Sequence, residues 1–124
     1  MIDLIIKYAP SLFQGIMMTV FVSGAAILLG AVPALGLAFG LISKNRILRA
    51  FCALYRSFWR GTPILVQLLI VFYLLPLIGI NVPPVLAAIF ALALNTTAFQ
   101  AEIYRAGLNA IPAGQVEAAR MLGI

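Results

Sequence analysis

The chain has 124 residues, of which 65% are hydrophobic and only 9% charged, a composition outside the range of ordinary soluble domains. Its formal net charge of +5 does not point to nucleic acid, because Lys44, Arg46, Arg49, Arg56 and Arg60 fall in one segment between apolar runs. Histidine is absent, which removes the commonest metal ligand and general base, and the single cysteine, Cys52, excludes an internal disulfide.

No charged side chain lies between Lys7 and Lys44, or between Arg60 and Glu102. Each gap exceeds the roughly 20 apolar residues that cross a bilayer, so the chain reads as an all-α, polytopic membrane protein. A cleaved signal peptide does not fit, because Asp3 precedes an apolar run far longer than the ~7 to 15 residues of a signal core. Met1 to Ser11 reads as a short amphipathic lead with Ser11 as a helix cap.

The first span runs from about 12 to 42. Along it Ala26, Gly30, Ala34 and Ala38 recur every four residues, with Gly36 and Gly40 as a second small-residue row, so another helix can approach closely. Pro33 breaks the ladder in mid-span, which membrane helices tolerate when a neighbour or a Thr or Ser satisfies the freed carbonyl, and a local kink near Gly30 is expected.

Residues 43–60 are too polar to span. Arg46, Arg49, Arg56 and Arg60 fall near one side and Ile47, Phe51, Leu54 and Phe58 near another, the pattern of a basic interfacial helix on the cytoplasmic side; an ordinary positive-inside loop is the plain alternative. Thr62 then reads as the cap of a second span, residues 63–78, with Pro63 at its first position. The uncharged turn through Asn81 marks the outer side. A third span, 84–101, turns polar at Asn95, Thr96, Thr97, Gln100 and Glu102. This order places the amino terminus outside and everything after about Glu102 inside.

Gln67, Asn95 and Thr97 are either lining for a translocation path or interhelical hydrogen-bonding groups; bonds of that kind average only ~1 kcal/mol, enough for packing. Glu102 is the only acid near a span, and a pair with Arg105 one turn on, at the inner mouth, is the simplest reading. No Gly-x-x-x-x-Gly-Lys-Ser/Thr run occurs, so nothing in the chain cradles nucleotide phosphates. There is no metal-ligand spacing and no Ser-His-Asp set, and the chain does not read as an enzyme.

Pro112 and Gly114 end the helix before them, and residues 111–124 begin a new short one near Gln115, with Val116, Ala119 and Leu122 near one side. Here Glu117-Ala118-Ala119, three residues, then Gly123 resembles the Glu-Ala-Ala-x-x-x-Gly signature of ATP-binding cassette importer permeases. Arg60-Gly61-Thr62-Pro63-Ile64-Leu65-Val66-Gln67, Leu94 to Ile103 and Ile111-Pro112-Ala113-Gly114-Gln115 are similar to the polar amino acid group of that family, of the histidine, glutamine, glutamate, arginine and opine type.

The resemblance implies a type I, MetI-like permease core in a bacterial inner membrane, here its first three spans. It makes Glu117, Ala118, Ala119 and Gly123 the residues of a coupling helix gripped by a nucleotide-binding ATPase subunit, which would hold the ATP and magnesium; no cofactor is implied on this chain. A second permease chain, identical or not, an extracytoplasmic solute-binding protein, an amino acid substrate and membrane lipid are the other implied partners. Family members continue past the signature, whereas this chain stops at Ile124, so a partial chain cut in the coupling loop is expected. A membrane scaffold explains the spans but not the terminal motif, and the spans lack the charged groups that suit an ion-coupled transporter.

Overall fold

The computed structural model describes residues 1–124 and is all helical. Five helices follow in chain order: α1 Ile2–Leu41, α2 Arg46–Gly61, α3 Ile64–Leu77, α4 Pro84–Asn109 and α5 Ala113–Met121. Large apolar side chains are exposed along nearly the whole length of α1, α3 and the first half of α4. A surface of that kind is stable against hydrocarbon and unfavourable against water.

α1 is a single helix of 40 residues, about 60 Å at 1.5 Å per residue. It begins at Ile2, so the separate lead does not exist and Ser11 lies inside the helix instead of capping it. Pro10 and Pro33 are both accommodated within it. Near Pro33 the Thr97 hydroxyl of α4 lies 3.4 Å from the carbonyl of Gly30, beside the one that Pro33 leaves without a donor.

α1 and α4 are each long and apolar enough to cross a membrane. α3 has 14 residues, about 21 Å, short of a hydrocarbon core of roughly 30 Å. It reaches that length only together with α2, from which it is bent by 100°.

The seam between α1 and α4 is the core. The four-residue row Ala26, Gly30, Ala34 and Ala38 is buried in full, and Ala87, Ala91, Ala98 and Ala101 are buried on α4. Gly30 lies against Thr96 and Thr97, while Ala34, Ala38 and Leu41 cluster with Ala101, so the two helices run side by side in the same direction. Of the second row, Gly40 is buried against Cys52 of α2, whereas Gly36 is exposed with open space around it.

Local signals set the other elements. Asn45 caps α2, its side-chain oxygen accepting from the backbone N–H of Ile47 at 3.0 Å and of Leu48 at 3.4 Å. Thr62 does not cap α3: Pro63 occupies that position, and the Thr62 hydroxyl donates back to the carbonyl of Phe58 at 2.8 Å, closing α2 instead. α3 ends where Gly79 takes φ 85°, with Ile80 N–H donating to Leu75 O at 2.9 Å and Gly79 N–H to Pro76 O at 3.2 Å. These are the two hydrogen bonds of a Schellman terminus.

A Cβ built on Gly30 stands 2.7 Å from Thr96 Cγ2 and 3.0 Å from the carbonyl oxygen of Ala93. The backbone carbonyl cannot swing aside, so Gly30→Ala is expected to push the two helices apart at a cost of about 1–3 kcal/mol. Gly36→Ala, with nothing within 4 Å, is the matched neutral change. Thermal unfolding of both variants in detergent checks the difference, and equal unfolding temperatures would refute this account of the seam.

Candidate functional site

Three constellations carry the polar chemistry of the chain. The first joins α3 and α4. Gln67, 4% exposed, accepts from the Asn95 amide through Oε1 at 2.7 Å, and Asn95 is itself only 7% exposed. The Gln67 Nε2 group donates to the carbonyl of Trp59 at 2.9 Å and to the carbonyl and hydroxyl of Thr62. One side chain of α3 therefore serves acceptors left open where α2 ends, and is held in place by α4. Thr97 is buried on the same helix, its hydroxyl 2.7 Å from the carbonyl of Ala93.

The second constellation centres on Glu102, whose side chain is 18% exposed. Its Oε1 accepts from Arg56 Nη1 at 2.9 Å and from Arg105 Nε at 3.2 Å, and its Oε2 from Arg105 Nη2 at 2.8 Å. Arg60 Nη1 stands 3.6 Å from Oε2, with its guanidinium over the Phe99 ring. Glu102 and Arg105 are thus paired as their spacing suggests. The two α2 arginines at the same carboxylate were missed by sequence reasoning, although their spacing of four residues puts both on one face of α2 and Glu102 is the only acid in the middle of the chain.

Tyr55 adds a further tie between α2 and α4, donating through its hydroxyl to the carbonyl of Leu94 at 2.7 Å. An apolar cleft of about 700 Å³ opens beside it between α1, α2 and α4, with Pro33, Leu37, Phe90 and Thr97 in its walls. The outward side of α2 presents Ile47, Phe51, Leu54 and Phe58, each more than half exposed. Apolar and basic faces therefore separate on α2 as its spacing dictates.

The third is α5. It follows α4 after only Ala110, Ile111 and Pro112, starts at Ala113 and buries no residue, so Glu117 and Ala118 are exposed and Ala119 is half-buried. Gly123 has φ 79°, with Ile124 N–H donating to Ala119 O and Gly123 N–H to Arg120 O, both at 3.0 Å. The helix thus closes on a Schellman terminus whose left-handed residue is the last position of the Glu-Ala-Ala signature. A Cβ at Gly123 meets no atom within 4 Å, so the demand for glycine here comes from the backbone conformation and not from crowding.

Residues 26–124 match the model of the binding-protein-dependent transport system inner membrane component family. The chain belongs to that family. A Rickettsia conorii protein named for the permease of a glutamine transport system is 40% identical over the whole of this chain, which spans 59% of that relative. The L-cystine transport system permease of Bacillus subtilis is 39% identical over 95% of this chain and 50% of its own length. The arginine transport system permease of the same organism is 38% identical over 96% and 55%.

Among solved structures, the crystal structure of an amino acid ABC transporter with histidines superposes with a TM-score of 0.84 at 38% identity, over 97% of this chain and 56% of that one. The chain is a permease-family, multi-pass membrane protein that spans a little over half the length of these relatives. Its helical architecture is that of an importer permease, as the terminal signature implied.

Truncating Asn95 to Ala leaves Gln67 Oε1 buried without its donor. A double-mutant cycle of Asn95→Ala and Gln67→Ala, followed by thermal unfolding in detergent, is expected to show a coupling of about 1 kcal/mol. Strict additivity of the two changes would show that the amides do not act together.

Proposed function

We propose that this chain forms the first part of the membrane-spanning subunit of an ATP-driven importer that carries amino acids, polar or charged ones, into the cytoplasm. The observation that carries the reading is α5: an exposed short helix holding Glu117, Ala118 and Ala119, closed by Gly123, three residues beyond the end of α4. An unburied helix on so short a tether suits insertion into a groove of a partner. In this reading the partner is a separate ATPase subunit, which binds ATP and magnesium and supplies all the hydrolytic chemistry.

The relatives named for glutamine, cystine and arginine transport support an amino acid as the solute. A second permease chain and an extracytoplasmic solute-binding protein complete the proposed assembly. The basic helix α2 supports the orientation with the amino terminus outside and α2 and α5 on the cytoplasmic side. In this reading the solute's path runs beside Gln67, Asn95 and Thr97, whose hydrogen bonds to one another and to the backbone brace its wall, and Glu102 with Arg105 forms its inner mouth.

The test uses the full-length permease reconstituted with its ATPase subunit in proteoliposomes. Ala119→Trp is expected to abolish ATP-dependent uptake of labelled glutamine or arginine at least tenfold while membrane abundance stays normal. Gly123→Ala is expected to weaken the end of α5 by about 1 kcal/mol, because alanine resists positive φ, with Gly123→Asn in between. Uptake and ATPase association unchanged in all three variants would refute the coupling assignment, and co-purification without any ATPase would favour a scaffold.

A further inference from the structure

Five basic residues lie between positions 44 and 60, yet only one acid, Glu102, meets them in the structure. Three guanidinium groups converge on this carboxylate, so two positive charges are left uncompensated. They are not equally engaged. Arg105 takes both carboxylate oxygens and Arg56 one, whereas Arg60 makes no hydrogen bond and keeps nearly half of its side chain exposed.

Beside these groups is a cleft of about 600 Å³, lined by Arg56, Ser57, Arg60, Phe99 and Arg105 together with the Glu102 carboxylate. The position along the bundle identifies the anion that would enter. Phe99 lies under the Arg60 guanidinium, and Phe58 and Trp59 stack edge to face on the same turn of α2. Aromatic rings of that kind collect at the headgroup level of a bilayer, and the apolar surface at the cleft is that of α4: Phe99 lines it, and Ile103 is exposed one turn further along the helix. An anion held here has hydrocarbon next to it on one side and water on the other.

We propose that Arg60, with Arg56 and Arg105, holds the phosphodiester of an anionic phospholipid, whose acyl chains lie against Phe99 and Ile103 of α4. Guanidinium and phosphate oxygens match in a forked, two-bond geometry, and the donors that Glu102 leaves unused on Arg60 and Arg56 are the ones available. Free phosphate shares this chemistry but not the acyl chains. The site is independent of the importer assignment, since it needs only a bilayer around α2 and α4.

The full-length gene product, purified in mild detergent, is titrated with phosphatidylglycerol or phosphatidylcholine and lipid retention is read by native mass spectrometry. Phosphatidylglycerol is expected to be retained in preference, and Arg60→Gln to weaken its retention about fivefold, the contribution of one basic side chain near an anionic surface. Arg46→Gln, a basic residue of the same helix away from the cleft, is expected to behave as the parent, and Arg60→Lys to fall between. Should Arg60→Gln fail to fold, Ser57→Asp, which sets a carboxylate at the edge of the cleft, is expected to give the same loss. The proposal is overturned if the parent shows no preference for phosphatidylglycerol or if Arg46→Gln and Arg60→Gln lose it equally. Displacement of the lipid by inorganic phosphate at equal concentration would likewise overturn it, since it would show that the acyl chains contribute nothing.

Discussion

Everything else in the bundle is arranged around the approach of α1 to α4. Two helices in hydrocarbon gain nothing by hiding apolar side chains from a solvent that is equally apolar, so attraction has to come from close contact. Gly30 and the alanines at 26, 34 and 38 remove the side chains that would hold the backbones apart. The approach is close enough for the Gln100 amide to reach the carbonyl of Ile27 at 3.1 Å. A seam built from small residues can be displaced by a single methyl group, which is why it is specific.

The remaining polar groups follow from the same constraint. In a chain with so little polarity, each buried amide or hydroxyl needs a partner, and no buried side-chain donor or acceptor is left without one. Several of the partners are on a different helix: Asn95 with Gln67, Tyr55 with Leu94, Arg56 with Glu102. Polar residues thus set which helices lie together and at what height, and small residues set how closely.

Much of this was legible in the sequence. The charge-free gaps marked α1 and α4 as long apolar helices but not how short α3 is, the four-residue alanine and glycine row marked the buried face of α1, and the terminal signature pointed to the family. What escaped was tertiary. That Arg56 and Arg60 meet Glu102 depends on the turn through residues 62 and 63, which folds α2 back across α4, and no local pattern encodes the angle. Ser11 and Thr62 were misread because both match the residue preference of a helix cap. Ser11 is overridden because α1 extends past it, and Thr62 because its hydroxyl finds the Phe58 carbonyl of the helix it follows. Asn45, an equally good cap by type, does act as one, so residue type alone could not separate the three.

Gln67 has one more implication. It braces the elbow between α2 and α3 from inside, and its own brace is Asn95 on a third helix. The angle of the elbow is therefore geared to the vertical position of α4. A slide of α4 by one helical turn, about 5.4 Å, would carry Asn95 out of reach and leave the elbow unlocked. Axial motion of one helix would then be converted into swing of another.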